Sequence, residues 1–154
     1  MTLTSQEYQP LTIGQDAPAF SLEATGGKTV QLTDFKGKNL IIVFYPKDQT
    51  PGCTQQLCAL RDDMSLFKDL NTEIIAINPD SIESHERFAA AQHYEFPILV
   101  DSNREVAKAY QTLKEDGASI QRTVYIIDAN GKIAYAKQGL PPDTELVEAI
   151  RQLK

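Results

Sequence analysis

The residues able to do redox chemistry are gathered in one stretch, FYPKDQTPGCTQQLCALRD, residues 44–62. Cys53 follows an apolar run, a loop and the pair Pro51-Gly52, which places it in the first turn of a helix. There the unpaired backbone N–H groups and the positive end of the helix dipole favour a thiolate. An ordinary thiol, with a pKa of about 8.5, is only a few per cent ionised at neutral pH, so this placement governs reactivity. Pro46 and Pro51 stiffen the loop, and Gly52 leaves space for a ligand beside the backbone. Thr50, three residues before Cys53, can turn its hydroxyl toward the sulfur, donating to a thiolate and accepting a proton from a bound substrate. A cysteine inside an apolar run is usually a small core hydrophobe. Cys53 lies instead among Thr, Pro, Gly and Gln, which favours a reactive thiol.

Such a site needs a scaffold, and the pattern supplies alternating strands and helices. Residues 20–24 and 28–32 flank Thr25-Gly26-Gly27 as a short hairpin, followed by a helical turn from Thr33 closed by Gly37. Residues 39–45 form a continuous apolar run, typical of a strand buried on both faces. After the cysteine loop, Leu57, Leu60, Met64 and Phe67 recur at three- and four-residue steps, predicting one helix over 53–70. A strand over 73–78, a helix from a cap at Asp80 or Ser81 to residue 94, a strand over 97–100 and a short helix over 104–110 follow. Residues 123–128 and 133–138 make a hairpin, and Asp143 caps a last helix burying Leu146, Val147, Ile150 and Leu153. This order predicts an α/β domain with a mixed central sheet flanked by helices. It is the element order of the thioredoxin-like fold, extended by an N-terminal β-hairpin. No repeat or composition shift divides residues 1–154, so a single domain is expected, with the first ten or so residues loose.

Composition narrows the functional classes. Of 154 residues, 15 are basic and 21 acidic, a formal charge of −6 that argues against nucleic acid and anionic membrane surfaces as partners. The run over 40–45 is far short of the ~20 apolar residues of a spanning helix, and the N-terminus lacks a basic region followed by an apolar stretch. Two cysteines are too few for a secreted disulfide scaffold. With 2 His, a four-ligand zinc site would consume every Cys and His in the chain, so no metal or cofactor is expected. The expectation is a soluble, cytoplasmic protein.

The cysteine loop resembles the active site of the peroxiredoxin family, whose signature Pro-x-x-x-Thr/Ser-x-x-Cys is matched by Pro46, Thr50 and Cys53. The likeness extends over GQDAPAFSL, INPDSIESHERFAAAQHYEFPILVD and RTVYIIDANGKI. Cys58, five residues after Cys53, is similar to the second cysteine of the bacterioferritin comigratory protein, or peroxiredoxin Q, branch. The resemblance implies that Cys53 is the peroxidatic cysteine, attacking the peroxide O–O bond to become a sulfenic acid. Cys58 is then the resolving cysteine, condensing with it to a disulfide. Thr50 and the N–H groups of Gly52 and Cys53 bind the peroxide oxygens, and Pro46 shields the sulfenic acid from water. The family's active-site arginine corresponds to Arg122, whose fixed charge favours the thiolate and polarises the peroxide. Hydroperoxides are the implied substrates, thioredoxin or a similar dithiol the reductant, and a monomer the implied state.

The other polar residues read as ordinary structure. His85 and His93 lie ~80° apart around one helix, with no third ligand nearby in sequence, and are expected to be solvated or capping. The six tyrosines, Tyr8, Tyr45, Tyr94, Tyr110, Tyr125 and Tyr135, show no stacking pattern and are expected to be mostly packing, and Asp62-Asp63 reads as a solvated helix face. Two functions compete with a peroxidase. A thioredoxin-like disulfide reductase usually carries Cys-x-x-Cys, whereas here four residues separate the cysteines and Arg122 stands where thioredoxins carry a proline. A non-catalytic thioredoxin-like module would have no need of Pro46, Thr50, Cys53 and Arg122 together.

Overall fold

The computed structural model describes residues 9–153, Cys53 by its backbone alone. Seven strands form one sheet: β1 (Ser21–Ala24), β2 (Lys28–Gln31), β3 (Asn39–Phe44), β4 (Thr72–Asn78), β5 (Ile98–Val100), β6 (Thr123–Ile127) and β7 (Ile133–Gln138). Their order is β2-β1-β5-β4-β3-β6-β7. The β3–β4 and β4–β5 pairs are parallel and the others antiparallel, so the sheet is mixed. The N-terminal hairpin is an integral edge of this sheet, since Ala24 pairs with Leu99. Among the described residues, no helix is long and apolar enough to cross a membrane.

Alternation along β3 explains how the sheet holds two cores. Leu40, Ile42 and Phe44 face one side, joined by Leu99, Val106, Tyr110 and Tyr125. Ile41, Val43 and Tyr45 face the other, where four helices bury their apolar stripes. These are α1 (Pro51–Asp62), α2 (Met64–Asp69), α3 (Ile82–Gln92) and α5 (Asp143–Arg151), through residues such as Leu57, Phe67, Phe88 and Leu146. The short α4 (Glu105–Ala109) covers the opposite face with Val106 and Ala107.

Several element boundaries differ from the sequence reading. The helix expected over 53–70 is two helices, α1 and α2, joined at Asp63, whose φ of −100° and ψ of 9° fall outside the helical basin. It begins at Pro51, where the ring's fixed φ and missing N–H suit the first helical position. Ser81 caps α3 by accepting from the N–H of Ser84, and His93 ends it in a left-handed conformation. Asp143 is the first residue of α5 and makes no capping bond; Pro142 occupies the cap position. The expectation of a loose N-terminus lies, for residues 1–8, outside the described residues. At residue 9 the exposed Gln9 accepts through its carbonyl from the side-chain amide of Gln111.

Candidate active site

The site forms where parallel β3 and β4 end and their loops emerge on the helix-rich face. Pro46 follows β3 and is exposed. Thr50 is the N-cap residue of α1, with extended backbone, and its carbonyl accepts the first helical bond from Thr54. The N–H groups of Gly52 and Cys53 precede that bond, in the first turn, where helix geometry supplies N–H groups with no acceptor within the helix. Thr50 Oγ1 donates to the carbonyl of Lys47 at 3.2 Å, which leaves its lone pairs available as acceptors.

Arg122 comes to this turn from 70 residues away. Antiparallel pairing aligns Thr123 with Phe44, so the residue before β6 stands beside the end of β3. Its Nη2 lies 3.4 Å from where a Cβ on Gly52 would be, and its Nη1 donates to Gln56 Oε1 at 3.1 Å. The guanidinium thus packs against the first turn of α1 at Gly52, at a distance where a Cβ would meet it in van der Waals contact. Two sources of positive potential, the N-terminal N–H groups of α1 and the Arg122 guanidinium, meet at the turn whose backbone carries Cys53.

Cys58 lies in the interior of the same continuous helix as a half-buried free thiol. Its Sγ is 3.3 Å from the hydroxyl of Tyr94 and donates to Gln92 Oε1 at 3.5 Å. Three residues on, Arg61 Nη1 donates to the carbonyl of Gln92 at 2.7 Å. The segment after α3 therefore clamps α1 around its second cysteine.

The loop before α1 is held by a buried polar network. Asp48 is 5% exposed, and its carboxylate accepts from Tyr45 Oη, Asn78 Nδ2, Ser84 Oγ and His85 Nδ1, at 2.5, 3.2, 2.7 and 2.6 Å. Its backbone N–H donates to Asp80 at 2.8 Å. Burial alone would push the Asp48 carboxyl up, but hydrogen bonds from His85, Tyr45 and Ser84, with the charge of His85, hold it below the ordinary 3.8.

These features can be set beside known proteins. The AhpC/TSA family model matches residues 13–136. Peroxiredoxin Bcp of Bacillus subtilis is 35% identical over 150 residues, covering 94% of this chain and 96% of that protein. The chain belongs to the AhpC/TSA family, the peroxiredoxins. A Xylella fastidiosa PrxQ mutant superposes with a TM-score of 0.86 at 25% identity, covering 93% of this chain and 97% of that one. The bacterioferritin comigratory protein of Xanthomonas campestris, described for its alkyl peroxide reduction activity, gives a TM-score of 0.81 at 26% identity, covering 86% and 90%. This peroxiredoxin thus has the thioredoxin-like fold that its element order predicts, and its class is that of thiol peroxidases.

Two readings of the sequence need correction against this peroxiredoxin's structure. His85 is fully buried, not solvated, with Nδ1 on Asp48 and Nε2 on the carbonyl of Leu99; only His93 is a capping residue. Its spacing to Phe88, three residues on, is the sequence signal for an inward-facing histidine. Asp63 is half-buried at the α1–α2 joint, and its carboxyl meets that of Asp143; only Asp62 is well exposed. The described tyrosines are mostly packing, as expected: Tyr110 and Tyr125 join Phe44 in one aromatic cluster, and Tyr94 stacks on Phe96 with centroids 5.0 Å apart. Tyr45 and Tyr94 also place hydroxyls in the site, as their position at element ends allows. Tyr8 lies outside the described residues.

Proposed function

We propose that Cys53 is the peroxidatic cysteine of this peroxiredoxin and Cys58 its resolving partner. The observation that supports it most is the convergence of the Arg122 guanidinium on the first turn of α1 at Gly52. In the first step the Cys53 thiolate attacks one peroxide oxygen, the O–O bond breaks, and the departing alkoxide or hydroxide takes a proton. Sulfur is oxidised to the sulfenic acid while the peroxide is reduced to an alcohol or water. Arg122, the N–H groups of Gly52 and Cys53, and Thr50 Oγ1 are disposed to hold the two oxygens as negative charge moves from sulfur to the leaving atom. Pro46 limits the access of water to the sulfenic acid. The Cys58 thiolate then attacks that sulfur, forming the disulfide and displacing hydroxide, which takes a proton from solvent and leaves as water. A dithiol such as thioredoxin reduces it by exchange.

Hydrogen peroxide and organic hydroperoxides are the substrates in this reading, the second supported by the named activity of the Xanthomonas neighbour. The chain acts as one domain over residues 1–154, as a cytoplasmic monomer, with no nucleic-acid, membrane, metal or cofactor partner. The test pairs peroxide consumption driven by dithiothreitol with insulin reduction. The wild type should consume peroxide and leave insulin intact, and Cys53→Ser should lose peroxide consumption by at least ~1000-fold, because a hydroxyl is no usable nucleophile here. Residual turnover of Cys53→Ser near the wild-type rate removes Cys53 from the reaction. Insulin reduction without peroxide consumption would assign a disulfide reductase instead.

A further inference from the structure

We propose that Asp48 and His85 are positioning residues for peroxide reduction, a buried ion pair that latches the loop over 46–50 and so sets the place of Thr50 and of the first turn of α1. The proposal rests on the reading of Cys53 as the peroxidatic thiol.

Hydrogen-bond inventory fixes the character of this pair. The four donors reaching Asp48 use both carboxylate oxygens twice. His85 Nδ1 faces one of those oxygens at 2.6 Å and Nε2 faces the carbonyl of Leu99 at 3.0 Å. An ionised carboxylate and a carbonyl both only accept, so each ring nitrogen carries a proton. The result is an imidazolium–carboxylate pair with exposures of 0% and 2%. Asp80 is the further acid at hand, and its Oδ2 is engaged by the Asp48 N–H.

The pair and its partners tie together four elements beneath the loop, β3, β4, α3 and β5. Tyr45 directly follows β3, Asn78 ends β4, Ser84 and His85 belong to α3, and Leu99 belongs to β5. Asp48 itself lies two residues before Thr50 and five before Cys53, with Gln49 between in a left-handed conformation (φ 63°). Two peptide bonds thus separate the latch from the helix cap, with no other buried residue in 46–50. The latch does not touch Arg122 or the N–H groups of the first turn, so it acts on geometry and not on the thiolate's charge. A misplacement of about 1 Å in a reacting centre costs on the order of 100-fold in rate.

The experiment compares Asp48→Ala with Asp48→Asn. Asparagine keeps the shape: its carbonyl oxygen accepts from Tyr45 and Asn78, and its amide donates to a neutral His85 and to Ser84. Two quantities are read: the second-order rate of peroxide reduction per titratable Cys53, and the thiolate titration of Cys53 near 240 nm. Asp48→Ala should lose ~10–100-fold in rate with the titration held within a few tenths of a pH unit. Asp48→Asn should recover to within about threefold of wild type. Should Asp48→Ala fail to fold, Tyr45→Phe combined with Ser84→Ala removes two of the four donors and supplies the loosened latch. A wild-type rate per thiol in the loosened variant overturns the proposal, as does an Asn variant no better than Ala. So does a titration displaced by a unit or more, which would assign the pair an electrostatic role. A wild-type protein that consumes no peroxide overturns the peroxidase reading and the latch with it; a wild-type rate in Asp48→Ala overturns the latch alone.

Discussion

Arg122 is the residue on which the electrostatics of the site turn. It is held by Gln56 on one side and reaches the Gly52 backbone on the other, so its charge is fixed in direction as well as sign. Arg122→Met keeps most of the stem and removes the charge. The thiolate titration of Cys53 should then move to higher pH, and the rate with hydrogen peroxide should fall by about 10-fold or more. Titration near 240 nm and stopped-flow peroxide reduction check this, and an unmoved titration would separate Arg122 from the thiol. Pro46, Thr50, Cys53 and Arg122 were legible as types in a motif, but Arg122's place beside Gly52 was not. It follows from the pairing of Thr123 with Phe44, a register that no spacing within the loop encodes. Asp48 and His85 were illegible for a related reason. An aspartate in a polar loop and a histidine on an amphipathic helix look solvated until the sheet places them in one pocket.

At the scale of elements, α1 carries both cysteines on one uninterrupted helix. Five residues of helix separate two Cα atoms by ~7.5 Å of rise and ~140° of rotation, about 8.7 Å in all. A disulfide needs them within about 7 Å, with Cβ atoms only about 4 Å apart. Closing a bond between Cys53 and Cys58 therefore requires the helix to unwind. Thr54, Gln55 and Gln56 offer no large apolar anchor, whereas Leu57 and Leu60 are fully buried, and Cys58 and Arg61 are tied to Tyr94 and Gln92. Unwinding must release part of these, which also presents the disulfide to a reductant. Amide exchange should show protection falling selectively over residues 54–61 on oxidation. Equal protection in a sample shown by mass spectrometry to hold the disulfide would refute the unwinding. The strands and most helices were legible from period and turn residues. The division of 53–70 was not, because the kink at Asp63 leaves Leu57, Leu60, Met64 and Phe67 on one face across the joint.

At the scale of the whole molecule, an acidic chain of formal charge −6 brings two carboxyls together where α5 meets the α1–α2 joint. Burial first, then hydrogen bonding to Asp63 and the charges of Asp63 and Asp62, push Asp143 from 3.8 up to about 7. Between those values the folded protein binds a proton that the unfolded chain does not. Stability contributed by this group is therefore fully present below about 3.8 and is lost as pH rises to about 7, above which its cost is constant. Asp48 runs the other way. Its lowered carboxyl contributes stability that is present above 3.8 and lost as pH falls through its folded value. Of these two contributions, that of Asp48 is lost in acid and that of Asp143 is lost toward neutrality. Asp143→Asn removes the repulsion while keeping a donor for Asp63. At pH 8 it should stabilise the fold by roughly 1–3 kcal/mol once solvent and relaxation are discounted, or several degrees in Tm. The gain over wild type should shrink steadily toward pH 4, where the Asp143 carboxyl is already protonated in the folded state. Thermal unfolding at half-unit pH steps measures this. A gain independent of pH would mean that Asp143→Asn acts through helix propensity or packing, and that the two carboxyls do not share a proton.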